Sequence, residues 1–524
     1  MKNILQKHNT IKYIFLAVSG ILTCLPLVFT SLGFLQWVSM SLFAIVIISE
    51  ADGEVRYKAF YKYGFVYFMC FYLTAFHWFV NLYPLSFVEG MTKGAAAVVV
   101  ALAWVGLSLL QTLLSAFVPV LIALLARRGL CKRHKMLLPI GAASIYVVFE
   151  WMQTLTWAGV PWARLAIGQT AASAMIKTAS LFGSYFISFL IVLVGFYIAM
   201  AMLFANKRRL SLVICATVVV ANAATGSILM LTERNDGKRI KAAALQLNVS
   251  SQEKWWGDLD LIKGRLEKYA LMAAEEGAEL IVASESVLPI DVIKGGGTYE
   301  FLRELARKCN ATLIVGCFTE AEGGSKNSLL LIDPEGNVSD TVYSKRHLVP
   351  FGEYVPMRDI IEALVPPLAD ISMLGEDIIA GEGTEIYDTE LGKIGSLICF
   401  DSIYENLTLR TVRDGADLIV LSTNDSWFLD SAALRMHNAQ AMLRAVESGR
   451  YIVRSANTGI SSIISPNGEM LDSEGALVEG YAIADIYTSD SITLYSVVGN
   501  LIVWLSAGFV IFLITDIKKI LTKC

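Results

Sequence analysis

Long apolar runs fill both ends of the 524-residue chain, and a stretch of ordinary polarity separates them. A helix that crosses about 30 Å of hydrocarbon needs about 20 predominantly apolar residues. Runs near that length predict eight membrane-spanning helices, at residues 12–29, 33–49, 61–83, 95–126, 137–154, 180–205, 210–231 and 495–515.

The polar stretch, residues 238–488, alternates between short apolar segments typical of strands and amphipathic segments typical of helices. This alternation predicts an α/β domain, and turns such as 333–336 predict hairpins and therefore mixed sheets. The predicted strands are 241–249, 280–283, 312–317, 328–332, 341–344, 394–400, 418–422 and 451–455, and the predicted helices are 255–276, 300–309, 407–414 and 432–448.

The predicted organisation is an α-helical membrane bundle of eight spans with an extramembrane α/β domain. Residues 1–237 form the membrane domain of seven spans, 238–488 the α/β domain, and 489–524 the eighth span and a tail. The composition is that of a membrane protein, since 55% of the residues are hydrophobic and 17% are charged. A formal net charge of −4 gives no basic excess for nucleic-acid binding, and 10% aromatic residues exclude a disordered chain.

Basic residues predict the orientation of the spans, because Lys and Arg stay on the cytoplasmic side. They cluster on alternate loops and on both tails, which predicts cytoplasmic termini and an extracytoplasmic α/β domain. The clusters are Lys2, Lys7 and Lys12; Arg56, Lys58 and Lys62; Arg127, Arg128, Lys132, Arg133 and Lys135; Lys207, Arg208 and Arg209; and Lys518, Lys519 and Lys523.

Several kinds of chemistry lack their sequence signatures. The eight cysteines form no C-x-x-C pair, so neither a zinc site nor a redox dithiol is indicated. The chain has no G-x-S-x-G, G-x-G-x-x-G or G-x-x-x-x-G-K-[ST], which disfavours a serine hydrolase or a nucleotide-binding enzyme. We therefore expect no metal and no cofactor.

Three reactive side chains lie at predicted strands of the α/β domain: Glu285, Lys345 and Cys399. A thiol is a strong nucleophile once it loses its proton, a carboxylate can accept that proton, and a lysine can stabilise an oxyanion. Together these three groups could catalyse acyl transfer. Each also has a structural interpretation, since a cysteine in an apolar strand usually belongs to the core, and Glu or Lys at strand ends is usually solvated.

The surrounding sequence favours the catalytic interpretation. It reads YSKRHLVPFGEYVP at 343–356, ICFDSIYE at 398–405, TNDSWF at 423–428 and RSANTGISSIISPNG at 454–468. These strings resemble the nitrilase superfamily, and with the flanking spans the chain is similar to its membrane-embedded branch, the apolipoprotein N-acyltransferases. The resemblance implies an α-β-β-α sandwich with a Glu-Lys-Cys triad.

By this resemblance Glu285 would be the general base, Lys345 the oxyanion stabiliser and Cys399 the nucleophile. The chain departs from the family pattern in having Ala283-Ser284 before Glu285, where Trp-Pro is usual, and in having Asp401 after the nucleophile, where Glu is frequent. Further substrate-binding positions implied by the resemblance are Glu353, Phe400, Asp401, Trp255, Asn327 and Trp162.

The resemblance also implies a reaction. Cys399 would take a fatty acyl chain from a membrane phospholipid as a thioester and pass it to the N-terminal amine of a diacylglyceryl-cysteine apolipoprotein, in the lipid bilayer of a bacterial cytoplasmic (inner) membrane. The apolar segments 357–375 and 427–429 would line a lipid-facing entrance. The alternatives are a membrane-tethered nitrilase-type amidohydrolase and a non-enzymatic transporter or scaffold.

Overall fold

The computed structural model describes residues 8–53, 55–85, 91–233, 236–294, 296–364 and 377–515. The chain forms two compact units. A helical unit comprises Met1–Val80, Ala97–Glu233 and Val497–Cys524, and an α/β unit comprises Asn81–Ala96 and Arg234–Ser496.

The helical unit consists of apolar helices joined by short turns. By length and composition, six helical segments of the described chain could cross a membrane: Asn9–Val28, Phe34–Ala51, Lys93–Arg127, Lys135–Met152, Ser184–Leu203 and Ala205–Leu231. The other two predicted spans correspond to Tyr57–Ala75, which is less apolar, and to the shorter helix Leu501–Ile514. The count of eight stays a prediction.

The helix bounds refine the apolar runs. The long fourth run is divided at residues 116–117, where one helix ends and the next begins. The α-helices of this part of the chain are Asn9–Val28, Phe34–Ala51, Tyr57–Ala75, Lys93–Ser115, Val118–Arg127, Gly129–Arg133, Leu138–Met152, Ser173–Ile176, Ala179–Phe182, Ser184–Leu203, Arg208–Leu231 and Leu501–Ile514.

Small residues let these helices pack closely, as is usual for helices in lipid. A Cβ added at Gly20 would lie 2.4 Å from the carbonyl oxygen of Tyr67. One added at Gly195 would lie 2.6 Å from Cβ of Met40. Side chains larger than hydrogen at these two positions would force the helices apart.

In the described part of the α/β unit, the strands form two six-stranded sheets of mixed direction. The sheet orders are β12-β1-β2-β3-β4-β5 and β11-β10-β9-β8-β7-β6. The strands are β1 (Arg239–Gln246), β2 (Leu280–Val282), β3 (Thr312–Ala321), β4 (Gly324–Ile332), β5 (Tyr343–Ser344), β6 (Tyr387–Thr389), β7 (Gly392–Ile398), β8 (Leu418–Thr423), β9 (Ile452–Ala456), β10 (Ser462–Ile464), β11 (Met470–Ser473) and β12 (Gly480–Tyr487).

The two sheets pack face to face, and helices cover their outer faces. Val282 of the first sheet and Val420 of the second belong to one buried cluster between the sheets. Outside the first sheet lie the helices Leu259–Glu275 and Gly297–Cys309, and outside the second lie Glu405–Arg413 and Ala432–Ser448. The α-β-β-α sandwich implied by the resemblance is confirmed.

Two local predictions were wrong in ways that affect the site. The predicted helix 255–276 is two helices, Ser251–Trp256 and Leu259–Glu275, because Gly257 is extended and the Asp258 side chain caps the second helix. Cys399 lies after strand β7, which ends at Ile398, rather than inside it. The 3₁₀ turn Cys399–Ile403 follows this strand.

The proposed lipid-facing entrance is only partly described. Helix Arg358–Leu364 begins this segment. Residues 365–375 lie outside the described residues.

Candidate active site

Glu285 lies in a tight turn directly after strand β2, residues 284–286, which we call the glutamate turn. Ser286 has a φ of 41°, in the left-handed region that side chains rarely adopt. The turn packs against Gly316 of strand β3, where an added Cβ would lie 2.3 Å from the carbonyl oxygen of Ser284 and 2.5 Å from the amide nitrogen of Ser286. Glycine at 316 therefore lets the turn approach its neighbouring strand.

Lys345 follows strand β5 and lies between two carboxylates. Its Nζ donates to Oε1 of Glu285 at 2.8 Å and to Oε1 of Glu353 at 2.9 Å. The lysine is only 2% exposed. A buried ammonium is costly unless it is paired, and here the two carboxylates provide that pairing.

Neutral donors complete the coordination of the carboxylates. The Asn327 side chain donates to Oε1 of Glu285 at 2.7 Å and to Oε1 of Glu353 at 3.3 Å. The backbone amide of Asn424 donates to the other oxygen of Glu285 at 2.7 Å, and that of Val349 donates to Glu353 at 2.8 Å. Each oxygen of both carboxylates therefore accepts at least one hydrogen bond.

The charges in this cluster alter one another's protonation. Burial alone would lower the pKa of the Lys345 ammonium, but the carboxylates of Glu285 and Glu353 outweigh burial and hold that pKa well above its ordinary value. Burial raises the pKa of the Glu353 carboxyl, and the nearby charge of Glu285 raises it further, against the opposing effect of Lys345. Lys345 therefore stays a cation across the neutral range.

Cys399 begins the turn after strand β7 with a φ of 48°. Desolvation by the surrounding protein raises the pKa of its thiol above the ordinary value, and Glu285 raises it further, while Lys345 lowers it. The amide of Arg346 donates to Asp401 at 3.2 Å, so the segments that carry the lysine and the thiol lie side by side. In the resting site the sulfur is protonated.

Asp401 connects the 3₁₀ turn that begins at Cys399 to the segment after Lys345. This fully buried carboxylate accepts from the amide of His347 at 2.7 Å, the amide of Ile398 at 3.1 Å and the hydroxyl of Tyr343 at 2.9 Å. The shorter Asp side chain at this position is therefore well satisfied. It links both sheets of the sandwich at the site.

The three aromatic candidates lie in different surroundings. Phe400 is partly buried, with its ring 5.6 Å from that of Tyr404. Trp255 is also partly buried, with its ring 5.9 Å from that of Phe318. Trp162 belongs to the helical unit, where it is 3% exposed.

Sequence reasoning missed a second buried lysine. Lys254 is 4% exposed, and its Nζ donates to the carbonyl oxygen of Glu285 at 2.9 Å and to Oγ of Ser286 at 2.7 Å. Burial lowers its pKa to about 7, against the opposing charge of Glu285. Its position beside Trp255 was the only signal in the sequence.

A buried ionic group behind Cys399 was also missed. Oδ1 of Asp425 lies 2.8 Å from Nδ1 of His437, and Oδ2 accepts from Arg454 at 2.8 Å. Among the described residues, Cys399, Asp425 and His437 have potential metal-ligand atoms within 4.8 Å of one another. Arg454 already supplies positive charge to this carboxylate, so the arrangement suits an ionic network better than a metal ion.

Comparison with known proteins covers both units. A family model of the apolipoprotein N-acyltransferase N-terminal domain matches residues 19–197, and a carbon-nitrogen hydrolase model matches residues 241–494. The apolipoprotein N-acyltransferase of Geobacter metallireducens is 28% identical over 506 residues, which is 94% of this chain and 92% of the relative. That of Gloeobacter violaceus is 26% identical over 486 residues, 91% of this chain and 89% of the relative.

Among solved structures, an amidase from Nesterenkonia sp. aligns with a TM-score of 0.38 and 18% identity, covering 50% of this chain and 94% of the amidase. The two domain matches follow one another along the chain, as do the helical and α/β units. The chain is therefore similar, over nine-tenths of its length, to the apolipoprotein N-acyltransferases of Geobacter metallireducens and Gloeobacter violaceus.

Proposed function

We propose that this enzyme moves a fatty acyl chain from a membrane phospholipid, through a thioester on Cys399, to the N-terminal amine of a diacylglyceryl-cysteine lipoprotein. Its relatives are named apolipoprotein N-acyltransferases. The observation that carries the proposal is the buried cluster of Glu285, Lys345 and Glu353, in which Glu285 and Lys345 act electrostatically on the Cys399 thiol. This set combines a base, a cation and a nucleophile.

The first half-reaction starts from a neutral thiol. Because the pKa of Cys399 is raised, its proton must move to Glu285 as sulfur attacks the ester carbonyl of the phospholipid. The Sγ–C bond forms, and the carbonyl oxygen gains negative charge that Lys345 stabilises. The ester C–O bond then breaks, and the leaving lysophospholipid oxygen takes the proton from Glu285.

The second half-reaction uses the same groups. The α-amine of the lipoprotein attacks the thioester carbonyl and transfers a proton to Glu285. The C–S bond breaks, and the Cys399 sulfur takes the proton from Glu285 to become a thiol again. The product is an amide, and no metal or nucleotide is consumed because the phospholipid ester already provides the acyl group.

The supporting residues receive roles from their contacts. Glu353 and Asn327 orient Lys345 and Glu285, and Asp401 holds the backbone beside the nucleophile. We propose that Phe400, Trp255 and Trp162 contact the lipid substrates, where aromatic side chains offer apolar area at low entropic cost.

We propose a bacterial cytoplasmic membrane location with an extracytoplasmic active site and cytoplasmic termini. Support comes from the apolar helices and from the basic clusters on alternate loops. Both proposed substrates are held in that membrane by their acyl chains, so an enzyme that spans it meets them without extracting either.

The alternative is a membrane-tethered amidohydrolase, which the carbon-nitrogen hydrolase match favours. Incubating the purified enzyme with phospholipid vesicles and measuring the mass of the Cys399 peptide distinguishes the acyltransferase from the amidohydrolase. We expect a mass increase equal to one fatty acyl group. Hydrolysis of a small amide, without any acyl adduct from phospholipid, would instead support the amidohydrolase.

In cells, Cys399→Ala should leave lipoprotein N-termini without the amide-linked chain, as measured by mass spectrometry. Cys309→Ala is the matched control, because Cys309 is a free, buried cysteine of the same unit. N-acylated lipoproteins made with the Cys399→Ala enzyme as the only copy would refute the proposed nucleophile.

A further inference from the structure

His437 lies on the helix Ala432–Ser448 with only 1% of its surface exposed. Burial alone would raise the pKa of the neighbouring Asp425 carboxyl, but His437 and Arg454 outweigh burial and hold that pKa well below its ordinary range. Asp425 is therefore a carboxylate, which can only accept hydrogen bonds. The proton in the 2.8 Å contact between the two residues accordingly lies on Nδ1 of His437.

The other ring nitrogen faces the backbone of the nucleophile. Nε2 of His437 lies 3.3 Å from the carbonyl oxygen of Cys399 and 3.2 Å from Oγ of Ser402. Oγ of Ser402 donates to the same carbonyl oxygen at 2.7 Å. A hydroxyl has one proton, so Nε2 must be the donor for all these contacts to be made together.

His437 therefore lies between Asp425 and the carbonyl of Cys399. The Arg454 guanidinium also approaches the ring, with its Nη2 3.3 Å from Nδ1. The ring, the carboxylate and the guanidinium form one buried network behind Cys399. This network can support the backbone of Cys399.

Cys399 needs such support because its backbone is strained. A non-glycine residue rarely adopts the left-handed region, and it persists there only when its surroundings hold it. Here the φ of 48° is accompanied by two donors on the carbonyl oxygen of the same residue. These donors oppose relaxation of the turn that presents Sγ.

We infer that His437 is a positioning residue that holds the backbone of Cys399, with Asp425 and Arg454 fixing its ring. The inference rests on the proposed role of Cys399 as the nucleophile. The histidine contacts the carbonyl oxygen of Cys399. It is not proposed as a general base that takes the proton from Sγ.

The paired variants His437→Asn and His437→Gln test this inference in the full-length enzyme. The Asn amide can still donate towards Asp425 but is too short to reach Cys399, whereas the Gln amide can donate near the position of Nε2. We measure the rate of Cys399 alkylation by iodoacetamide, peptide by peptide, together with the unfolding temperature of each variant.

We expect the Asn variant to react about tenfold more slowly than wild type and the Gln variant to stay within about threefold, because small displacements of a reacting atom cost large factors in rate. Equal rates for the two variants, at similar unfolding temperatures, would overturn the inference. A residue that serves only to stabilise the fold would show the same rate in both.

Ser402→Ala keeps the inference testable if the histidine variants do not fold, since it removes only one donor to the carbonyl of Cys399. It should slow alkylation in the same direction, and an unchanged rate would contradict the inference. A wild-type enzyme that is alkylated at Cys399 but gains no acyl group from phospholipid would overturn the proposed function alone.

Discussion

At the scale of single residues, the chemistry depends on which groups are charged before substrate arrives. Lys345 stays protonated because two carboxylates hold its ammonium. Cys399 stays neutral because desolvation and Glu285 both raise the pKa of its thiol. Under the proposed mechanism, the site holds positive charge where the oxyanion would form, and the thiolate would be created only during attack.

The pKa of Lys254 is lowered, whereas that of Lys345 is raised. The lowered pKa makes the stability of the protein depend on pH. The folded-state pKa of Lys254 is about 7, whereas an unfolded lysine has a pKa of about 10.4. Between these values the unfolded chain binds more protons, so the free energy of unfolding rises with pH in this window. Below pH 7 both states are protonated, and the cost of burying the charge is present in full.

We predict that Lys254→Met removes this dependence. Wild type should gain up to about 1.4 kcal/mol per pH unit relative to the variant between pH 7 and pH 10. Unfolding temperatures of the purified enzyme across that range provide the measurement. Lys268→Met, at an exposed position of the same unit, is the control, and parallel curves for wild type and Lys254→Met would contradict the prediction.

At the scale of elements, the site is built where strands end. A candidate catalytic residue follows the carboxyl end of each of two strands, Glu285 after β2 and Cys399 after β7. Neither turn has ordinary backbone geometry, since φ is positive at Ser286 and at Cys399. The strands on either side hold these turns by close contact, and Gly316 is the clearest example.

We predict that Gly316→Ala displaces the glutamate turn. The new Cβ would lie 2.9 Å from the backbone carbon of Glu285 as well as closer to its neighbours, and such overpacking costs about 1–3 kcal/mol. The rate of acyl-enzyme formation, measured as the mass increase of the Cys399 peptide, should fall by about 10²-fold.

Gly264→Ala is the matched control for this substitution. Gly264 is exposed on the helix Leu259–Glu275, and a Cβ there meets nothing within 4 Å. It should raise stability slightly, because alanine favours helix over glycine by up to about 1 kcal/mol. Equal rates of acylation for the two variants would show that the turn tolerates displacement.

At the scale of the whole molecule, the chain combines apolar helices with an α/β sandwich of ordinary polarity. The asymmetric placement of Lys and Arg gives these two units a predicted orientation across the membrane. Under the proposed function we expect the site to face the extracytoplasmic side.

This orientation predicts which sites an impermeant maleimide can reach in intact spheroplasts. A cysteine introduced as Glu335→Cys, at an exposed position of the α/β unit, should be labelled. One introduced as Arg209→Cys, at the end of a loop predicted to be cytoplasmic, should be labelled only after permeabilisation. The unsubstituted protein gives the background, and labelling of Arg209→Cys in intact spheroplasts would reverse the orientation.

Much of the architecture was predictable because it depends on local properties of the chain. Each apolar run must match the thickness of the hydrocarbon, and alternating strands and helices need two faces covered. The turn after strand β7 was less predictable, since the apolar residues 394–400 continue past Ile398 and conceal where the strand ends.

Sequence by itself determined the two kinds of domain, and it supplied the family strings and three candidate catalytic residues at the ends of strands. Only the tertiary structure decided that Lys345 meets a carboxylate 60 residues away along the chain, and that Lys254, His437, Asp425 and Arg454 are buried around them. The physical reason is that desolvation and charge pairing depend on neighbours brought together by folding, whereas hydrophobic periodicity depends only on the order of consecutive residues.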